Sequence, residues 1–327
     1  VLNLHGNGAA GCDIVVYGGS FKNFDPANNI SENPAHNFCA PGYSSAKVGD
    51  YYVVGEGQVV ATADEFAAAM KSTEENIKVT LANDIDVAIS SLGQITGGSG
   101  EYKLGGENTE NITIDLNGKT LNITTTYWSN LGAKNDNALF TIKNGKMTSS
   151  QPTGTWNSYD LTFSNCDYAI ENVDFLKAIA FDNAGKSVSL KDVTIKETHD
   201  YYAMWITAEG QNVTIDGLII NSHGRGIKID EQYVGTPAKV TLNIANSTFK
   251  TAKKAAILVK SVTGAEINVE SINITNVVAD NEFAVWVDED AAAYADKVVV
   301  NGALVKVEGA KDAVASSATE LAEAVQN

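Results

Sequence analysis

The 327-residue sequence has few cysteines, few cations and no long apolar run, and each shortage excludes a class of protein. Three cysteines are too few for a full disulfide scaffold, and their spacings do not match those of metal ligands. The 23 lysines and arginines are outnumbered by 40 acidic residues, so the surface repels phosphate backbones and anionic lipid headgroups. No stretch approaches the roughly 18 consecutive apolar residues that indicate a membrane-spanning helix. We therefore expect neither nucleic-acid binding nor membrane insertion.

The composition nevertheless supports a packed core. Hydrophobic residues make up 44% of the chain and charged residues 19%, enough for one large folded domain or two smaller ones. The first residue is Val1, and we interpret the chain as a processed or trimmed fragment. Cys12 and Cys39 can form a disulfide only if the protein is secreted, because such bonds persist only in secreted proteins. The alternative is that the three cysteines are buried free thiols.

Short apolar segments recur along the chain, and each follows a turn residue of the Gly, Asn, Asp or Ser type. Apolar and polar residues mostly alternate within these segments, and this period of two predicts β-strands. Neighbouring turns are 20 to 31 residues apart with no helical period between them, so each repeat is expected to form one coil. The eight turn positions are Gly118, Gly145, Asn172, Asp192, Gly217, Asn246, Ser271 and Gly302.

A second series of strands follows the middle turns and keeps step with the first. Its segments read AIAFD, AMWIT, GIKID, AILVK and AVWVD, beginning at residues 178, 203, 226, 256 and 284. Coils of this kind stack with parallel strands about 4.8 Å apart and cross over in the right-handed sense. We predict an all-β fold, a right-handed parallel β-helix (solenoid). The inward residues of its second series form one apolar ladder: Ile179, Met204, Ile227, Ile257 and Val285.

These punctuated strands resemble the pectin-lyase-like right-handed parallel β-helix superfamily, of the kind found in repeat-containing bacterial surface proteins and phage fibre proteins. The resemblance covers residues 77 to 310. It implies the β-helix architecture and an extracellular or cell-surface location, but one fold hosts many functions, so it does not select an activity. In proteins of this superfamily, ligands usually lie along an outward-facing strand surface flanked by long turns.

The ends of a solenoid need a cover, because they expose unpaired strand groups. A short amphipathic cap helix is predicted at about residues 62–71, where Thr62 and Glu65 have the spacing of a capping box. The same spacing returns at Ser317 and Glu320. We therefore expect residues 1–58 to be the closing coil and loop of a preceding unit, residues 59–312 to be the β-helix domain, and residues 313–327 to be the cap helix of a following unit or a C-terminal helix.

Alternation also gives the outward face of the second strand series. One column contains Ala180, Trp205, Lys228, Leu258 and Trp286, and the other contains Asp182, Thr207, Asp230, Lys260 and Asp288. Two outward tryptophans three coils apart, about 14 Å, are suited to stack on pyranose rings beside charged groups. Cover by a loop, a neighbouring unit or a subunit is the alternative. The predicted ligand-binding residues are Trp205, Trp286, Lys228, Asp230 and Asp288.

One segment offers candidates for catalysis. Residues 222–230 place a histidine, an arginine, a lysine and an aspartate at one edge of a strand, similar to the Gly-His-Gly and Arg-Ile-Lys motifs of polygalacturonase-like hydrolases. That family carries the motifs on separate coils and adds an adjacent pair of aspartates, which this chain lacks. Asp182 and Asp230 are expected about 9.6 Å apart, at the upper edge of the carboxyl separation in inverting glycosidases. If the chain is an enzyme, the catalytic candidates are Asp182, Asp230, Lys228, Arg225 and His223.

We expect no cofactor. The acidic pairs at Asp84 and Asp86 and at Asp288 and Asp290 leave Ca²⁺ as an alternative, although neither has the spacing of a twelve-residue calcium loop. The sequence therefore favours a non-catalytic extracellular β-helix module of a surface adhesin or fibre-type protein, in contact with a glycan or with a neighbouring subunit or unit of the same protein. The alternatives are a polysaccharide lyase or glycoside hydrolase acting on an acidic polysaccharide, and a phage tail or fibre structural protein.

Overall fold

The computed structural model shows a predominantly β protein with two large sheets and one small one. The residues it describes are 13–30, 34–96, 100–125, 130–150, 161–196, 202–207, 209–221, 226–230, 240–250, 255–259, 269–275, 278–279, 283–287, 298–301, 305–307 and 314–315. The large sheets contain 16 and 11 strands and are almost entirely parallel, whereas the three-stranded sheet is antiparallel. The all-β prediction with parallel pairing is thus confirmed.

The small antiparallel sheet lies near the amino terminus. It consists of β1 (Gly19–Lys22), β2 (Tyr43–Val48) and β3 (Tyr51–Glu56), in the order β1-β3-β2. Val54 packs with Val16 and Phe38 in one small cluster, and Val53 packs with Val59 and Ala82 in another. The second cluster joins this sheet to the first strands of the large sheet.

The 16-stranded sheet is parallel at every pairing. Its strands are β4 (Gln58–Val60), β5 (Asn76–Leu81), β6 (Ile85–Ala88), β9 (Asn111–Asp115), β10 (Thr120–Thr124), β12 (Leu139–Ser150), β14 (Asp167–Phe175), β16 (Ser187–Lys191), β17 (Thr194–Ile195), β19 (Asn212–Asp216), β20 (Ile219–Asn221), β22 (Val240–Ala245), β23 (Thr248–Lys250), β25 (Val269–Thr275), β26 (Val278–Ala279) and β28 (Val298–Asn301). The expected boundary between residues 58 and 59 falls inside β4, which pairs with β5.

The 11-stranded sheet is parallel except at its two ends, where β7 pairs antiparallel with β8 and β29 with β30. Its strands are β7 (Gln94–Thr96), β8 (Glu101–Leu104), β11 (Asn130–Ala133), β13 (Leu161–Ser164), β15 (Ile179–Asp182), β18 (Met204–Thr207), β21 (Ile227–Asp230), β24 (Ala255–Val259), β27 (Phe283–Val287), β29 (Val305–Val307) and β30 (Val314–Ala315). Strand β30 lies within the segment 313–327 that was expected to form a cap helix, and Ser317 and Glu320 lie outside the described residues.

The two large sheets are built by alternation along the chain. A strand of the 11-stranded sheet is followed by one or two strands of the 16-stranded sheet, and each strand pairs with its equivalent one repeat later. The pairs Ile179–Met204, Met204–Ile227, Ile227–Ile257 and Ile257–Val285 stand directly opposite each other, as the predicted apolar ladder requires. The first four of these residues are buried. This arrangement is consistent with stacked coils.

Most predicted turn positions have the left-handed backbone conformation that favours Gly, Asn and Asp. Positive φ angles occur at Gly118, Asn172, Asp192, Gly217 and Asn246. Gly145 is an exception, because it lies inside β12 and the left-handed conformation there is that of the preceding Asn144. Ser271 is a second exception, because it lies inside β25, and the predicted turn there is wrong. At this strand the register with β22 shifts by one residue, so the repeat is irregular where the turn was expected. Gly302 lies outside the described residues.

Two short helices lie between the first strands of the 16-stranded sheet and β7. Helix α1 spans Ala63–Met70 and begins with a capping box in which the Thr62 side chain accepts from the Glu65 backbone N–H and the Glu65 side chain accepts in return. Phe66 and Met70 are buried on its inner face. Helix α2 spans Ile89–Leu92. Neither helix in the described part of the chain has the length and apolar character needed to cross a membrane.

Candidate ligand-binding face

The outward column predicted for the 11-stranded sheet is present in the backbone register. Ala180 pairs with Trp205, Trp205 with Lys228, Lys228 with Leu258, and Leu258 with Trp286. Side chains alternate between the two faces of a strand, so these five positions share the face opposite the Ile179 ladder. The side chain of Trp286 lies outside the described part of the chain, and its position rests on register alone.

Trp205 faces outward but is not exposed. Only 4% of its surface is accessible, and its ring lies 6.2 Å from that of Tyr202, centroid to centroid. Both rings pack with Ala180 in a small cluster separate from the main core. Burial of an indole and a phenol against each other is favourable because both carry large apolar surfaces. The cover over Trp205 is therefore supplied by the chain itself, from the residues just before β18.

Lys228 completes this aromatic cluster. Its Nζ lies 5.3 Å from the centroid of the Tyr202 ring and 5.6 Å from that of Trp205. A cation at such distances is attracted by the negative faces of the rings. Lys228 therefore holds the cover on Trp205 from the neighbouring strand.

A pair of carboxyl groups lies beside the aromatic cluster. Asp182 ends β15, and Glu209 lies in the turn that follows β18, the strand paired with β15. Glu209 is half-buried, and burial together with the charge of Asp182 and a hydrogen bond to it raises the pKa of Glu209 to about 7. The Thr207 hydroxyl, 3.4 Å from Oε2 of Glu209, lowers the pKa of Glu209 and so offsets part of this rise. Glu209 therefore keeps its proton to a higher pH than an isolated glutamate does.

The turn that carries Glu209 is held by a buried hydrogen-bond network. The Thr207 hydroxyl is 3.1 Å from the carbonyl oxygen of Phe181, to which it donates, and it accepts from Nε2 of Gln211 at 3.0 Å. Oε1 of Gln211 accepts from the backbone N–H of Glu209 at 2.9 Å. Gln211 is almost completely buried, so these bonds form out of contact with water and fix the turn.

Further polar side chains extend the site toward the amino terminus. Nδ2 of Asn130, on β11, donates to Oδ2 of Asp182 at 3.4 Å, and the Ser164 hydroxyl, on β13, donates to Oε1 of Glu101 at 3.3 Å. We call Glu101, Asn130, Asp182, Thr207 and Glu209 the polar strip. It runs along one sheet from β8 to the turn after β18. Apart from the buried Thr207 hydroxyl, its groups are hydrogen-bond donors and acceptors that can bind the hydroxyl groups of a ligand.

The sequence-predicted site residues are only partly brought together. Lys228 lies on the aromatic cluster, and Asp182 lies in the polar strip. Asp230 stands opposite Thr207 in the register, two strands from Asp182 as expected, but its side chain is outside the described residues. His223, Arg225 and Asp288 also lie outside them.

The sequence left Ca²⁺ as an alternative, and the described residues do not form a site for it. No group of three or more His, Cys, Asp and Glu side chains within them is placed to hold an ion. Asp84 and Asp86 serve hydrogen bonds instead: Oδ1 of Asp84 accepts from the Thr120 N–H, and Oδ1 of Asp86 accepts from Nδ2 of Asn122. Cys39 is a buried free thiol, and Cys12 lies outside the described residues.

Three members of the polar strip, Glu101, Asn130 and Glu209, were not predicted from the sequence. Glu209 follows its strand in a turn, where strand alternation gives no direction for a side chain. Asn130 lies on β11, a strand without the repeated apolar pattern of the later coils. A carboxylate two residues beyond an outward column is the only sequence signal that points to Glu209, and it is weak.

In comparisons with known proteins, no family model, no curated protein and no solved structure matches this chain.

Proposed function

We propose that the chain is a right-handed parallel β-helix module of the pectin-lyase-like kind, part of an extracellular surface adhesin or fibre-type protein, and that its polar strip binds a glycan. The observation that carries the proposal is the polar strip. Its carboxylate and amide groups come from parallel strands of one sheet and from the turn after β18, and a sugar chain likewise presents hydroxyl groups along its length. A small set of placed polar groups on a rigid support is typical of ligand sites.

The proposed handedness follows from the parallel pairing of strands one repeat apart. Parallel crossover connections within one sheet are right-handed in nearly all proteins. A stack of such coils is rigid. A ligand that runs across the strands, from one coil to the next, would therefore meet polar groups that are already in place. This lowers the entropic cost of binding.

The carboxylates of the polar strip favour neutral glycans over acidic ones. Glu101 and Asp182 lie in it, and Nζ of Lys103 is shared between Glu101 at 3.8 Å and Asp136 at 3.5 Å. Carboxylates outnumber cations in the described part of the strip, so an acidic polysaccharide would be repelled. Tyr202 packs on the Trp205 ring, so a sugar could stack on that ring only if Tyr202 moved away. Trp205 would therefore lie beneath the site and pack against it without contacting the sugar. Trp286 stays the predicted stacking residue.

Affinity electrophoresis through gels containing neutral or acidic polysaccharides tests this proposal. We expect at least one neutral glycan to retard the wild-type chain. Asn130→Ala and Asp182→Asn should weaken its apparent affinity by about tenfold, the effect of losing one hydrogen bond to a charged group. Asn111→Ala is the matched control, because Asn111 lies on the other large sheet and bonds to Asn76.

Retardation by no glycan, or equal retardation of all three variants, would contradict glycan binding by the polar strip. Trp286→Ala should also reduce retardation if that ring stacks on the sugar.

The alternative partner, a neighbouring subunit, requires an oligomer, so light scattering that gives a monomer at all concentrations would exclude it.

A polysaccharide hydrolase or lyase is a second candidate, favoured by one observation. A carboxyl group whose pKa is near 7, as that of Glu209 is, can donate or accept a proton at neutral pH. Incubation with acidic and neutral polysaccharides should release new reducing ends or unsaturated products if this candidate is correct. Glu209→Gln should abolish that release, whereas Glu171→Gln should not. Absence of products over the whole panel would exclude the enzyme.

A further inference from the structure

Three lysines lie on the outward side of the 16-stranded sheet, among the strands that follow its left-handed turn residues. Lys146 is on β12, Lys196 directly follows β17, and Lys250 ends β23. All three side chains are exposed. In the sheet order β14 separates β12 from β17, and β20 separates β17 from β23. A lysine therefore recurs on every second coil, about 9.6 Å along the stack. We call the outward side of these five strands the lysine face.

The register places two of these lysines at the same level of the sheet. Lys250 pairs directly with Asn221, the last residue of β20. Lys196 follows β17, whose last residue pairs with the residue before Asn221. The N–H of Lys196 donates to the carbonyl oxygen of Phe175 on β14 at 2.9 Å, so the ladder continues through it. Asn221, which is also exposed, therefore lies between the two lysines.

The lysine face carries an excess of positive charge, in a chain whose net charge is -17. Among its outward residues from β12 to β23, Asp174 is the one carboxylate, and it forms an ion pair with Lys196. Within the described part of the chain, no carboxylate forms an ion pair with Lys146 or Lys250. Two of the three cations are thus available to an anionic partner.

Lysines elsewhere on the same sheet are compensated by acids. Among the strands that precede the turn residues, one outward column reads Asp115, Lys143, Glu171, Lys191 and Asp216, so the sign of the charge alternates from coil to coil. Nζ of Lys143 lies 3.7 Å from Asp115, and Nζ of Lys191 lies 3.0 Å from Glu171. An anionic polymer would meet both signs on that side, whereas on the lysine face it would meet mainly cations.

We propose that the lysine face binds a linear polysaccharide that carries one carboxylate or sulfate group on every second sugar. Extended along the stack, such a polymer presents one anion per disaccharide, a length close to that of two coils. Its anions would lie at the lysines, and its hydroxyl groups would meet the residues between them. This site does not depend on glycan binding by the polar strip, because the two surfaces belong to different sheets.

The residues between the lysines suit contact with sugars. Ile219 is 41% exposed and stands between Thr194 and Thr248 in the register. An exposed aliphatic side chain can pack against the C–H groups of a pyranose ring, and the threonine hydroxyls and the Asn221 amide can form hydrogen bonds with sugar hydroxyls. These side chains stand on paired strands, so little backbone ordering is needed on binding.

Affinity electrophoresis through gels containing hyaluronan, which has one carboxylate per disaccharide, tests the proposal. At about 0.1 M salt, charges more than about 10 Å away are screened, so the lysines should act despite the acidic chain. We expect retardation of the wild type that disappears at about 1 M salt. Lys146→Gln and Lys250→Gln should each weaken the apparent affinity about two- to fivefold, the effect of losing one exposed ion pair.

Lys191→Gln is the matched control, because it removes the same charge from a lysine that is paired with Glu171. Its apparent affinity for hyaluronan should equal that of the wild type. Asp182→Asn, in the polar strip, should not weaken retardation by hyaluronan either, which separates this site from the polar strip. No retardation by hyaluronan, or equal weakening by Lys191→Gln and Lys250→Gln, would overturn the proposal.

Polygalacturonate, with a carboxylate on every sugar, tests the spacing. It should retard the wild type no more strongly than hyaluronan, because half of its anions would face the residues between the lysines. Stronger retardation by polygalacturonate would show that only charge density matters and would overturn the proposal. Light scattering tests the other acidic partner, a second copy of this chain. A dimer that Lys250→Gln dissociates would assign the lysine face to that copy and would likewise overturn the proposal.

Discussion

Lys228 and Trp205 stand directly opposite each other on adjacent strands, and Nζ of Lys228 lies 5.6 Å from the centroid of the indole. Tyr202 lies over the same indole and meets the same cation. The outward direction of Trp205 follows from strand alternation, but its burial follows from the path of the chain before β18. Trp205 is therefore part of a covered cluster although it faces outward.

Removal of Tyr202 should expose the indole. We expect Tyr202→Ala to lower the free energy of unfolding by about 2 to 4 kcal/mol, because it deletes a buried aromatic ring and leaves Trp205 partly uncovered. Urea denaturation measures this loss. The fluorescence of Trp205 is the part of the signal that Trp205→Phe removes. In Tyr202→Ala, acrylamide should quench this fluorescence more strongly than in the wild type.

The control for this change is Tyr17→Ala. Tyr17 is 67% exposed, so its removal should cost less than about 1 kcal/mol. A loss at Tyr202 no larger than the loss at Tyr17 would show that the two rings do not form a stabilising cluster.

Gly132 is required by the close approach of two coils. A Cβ added there would collide with Oδ1 of Asn165 and would lie 2.8 Å from the carbonyl oxygen of Ser164. Asn165 is itself held in place by its Nδ2, which donates to the carbonyl oxygen of Ala133 at 3.1 Å. Gly132→Ala should therefore cost about 2 to 3 kcal/mol, as overpacking of a core does.

Thermal or urea unfolding measures this effect against Gly18→Ala. At Gly18 the nearest atom to an added Cβ is 3.8 Å away, an ordinary contact, so that variant should be nearly neutral. Equal stability of the two variants would contradict the packing between β11 and the turn at Asn165.

The sequence was sufficient to predict the strands that repeat most regularly. The ladder from Ile179 to Ile257 could be written in register because apolar residues recur at the same place after each turn, and burial of that face leaves one register favourable. The Ser271 turn was predicted wrongly for the converse reason. A serine in a polar setting suits a turn or a strand, and here the strand pairing of β25 prevails.

The site was harder to predict than the fold. Tyr202 and Glu209 are both outside the strands of the ladder, and their contacts depend on how two turns fold back onto the sheet. Alternation defines two faces of a strand but carries no information about the path between strands. The backbone register of the outward column matches the prediction, whereas the burial of Trp205 and the partner of Asp182 could be known only from the folded chain.

The capping box at the start of α1 should contribute measurably to stability. Thr62→Ala removes the acceptor for the Glu65 N–H, so we expect a loss of about 1 kcal/mol in the free energy of unfolding. Thr62→Ser keeps the hydroxyl and should retain most of the stability. Urea denaturation of both variants is the measurement, and an equal loss in both would show that the hydroxyl does not cap the helix.

The raised pKa of Glu209 gives the stability of the protein a definite pH dependence. The folded chain binds the proton of Glu209 more tightly than the unfolded chain, because the pKa rises from 4.5 to about 7 on folding. This contribution to stability is fully present below about pH 4.5 and is lost as the pH rises through 7. The full shift corresponds to about 3 kcal/mol, and partial exposure to solvent reduces it to about 1 to 2 kcal/mol.

Other carboxyl groups titrate in the same range, so the informative quantity is the difference in stability between the wild type and Glu209→Gln. Chemical denaturation at pH 4.5, 6 and 8 should show the wild type losing about 1 to 2 kcal/mol relative to this variant across the series. Asp182→Asn removes the neighbouring charge, so in that background the loss should be smaller. A difference that does not vary with pH would mean that Glu209 has the same pKa in the folded and unfolded chains.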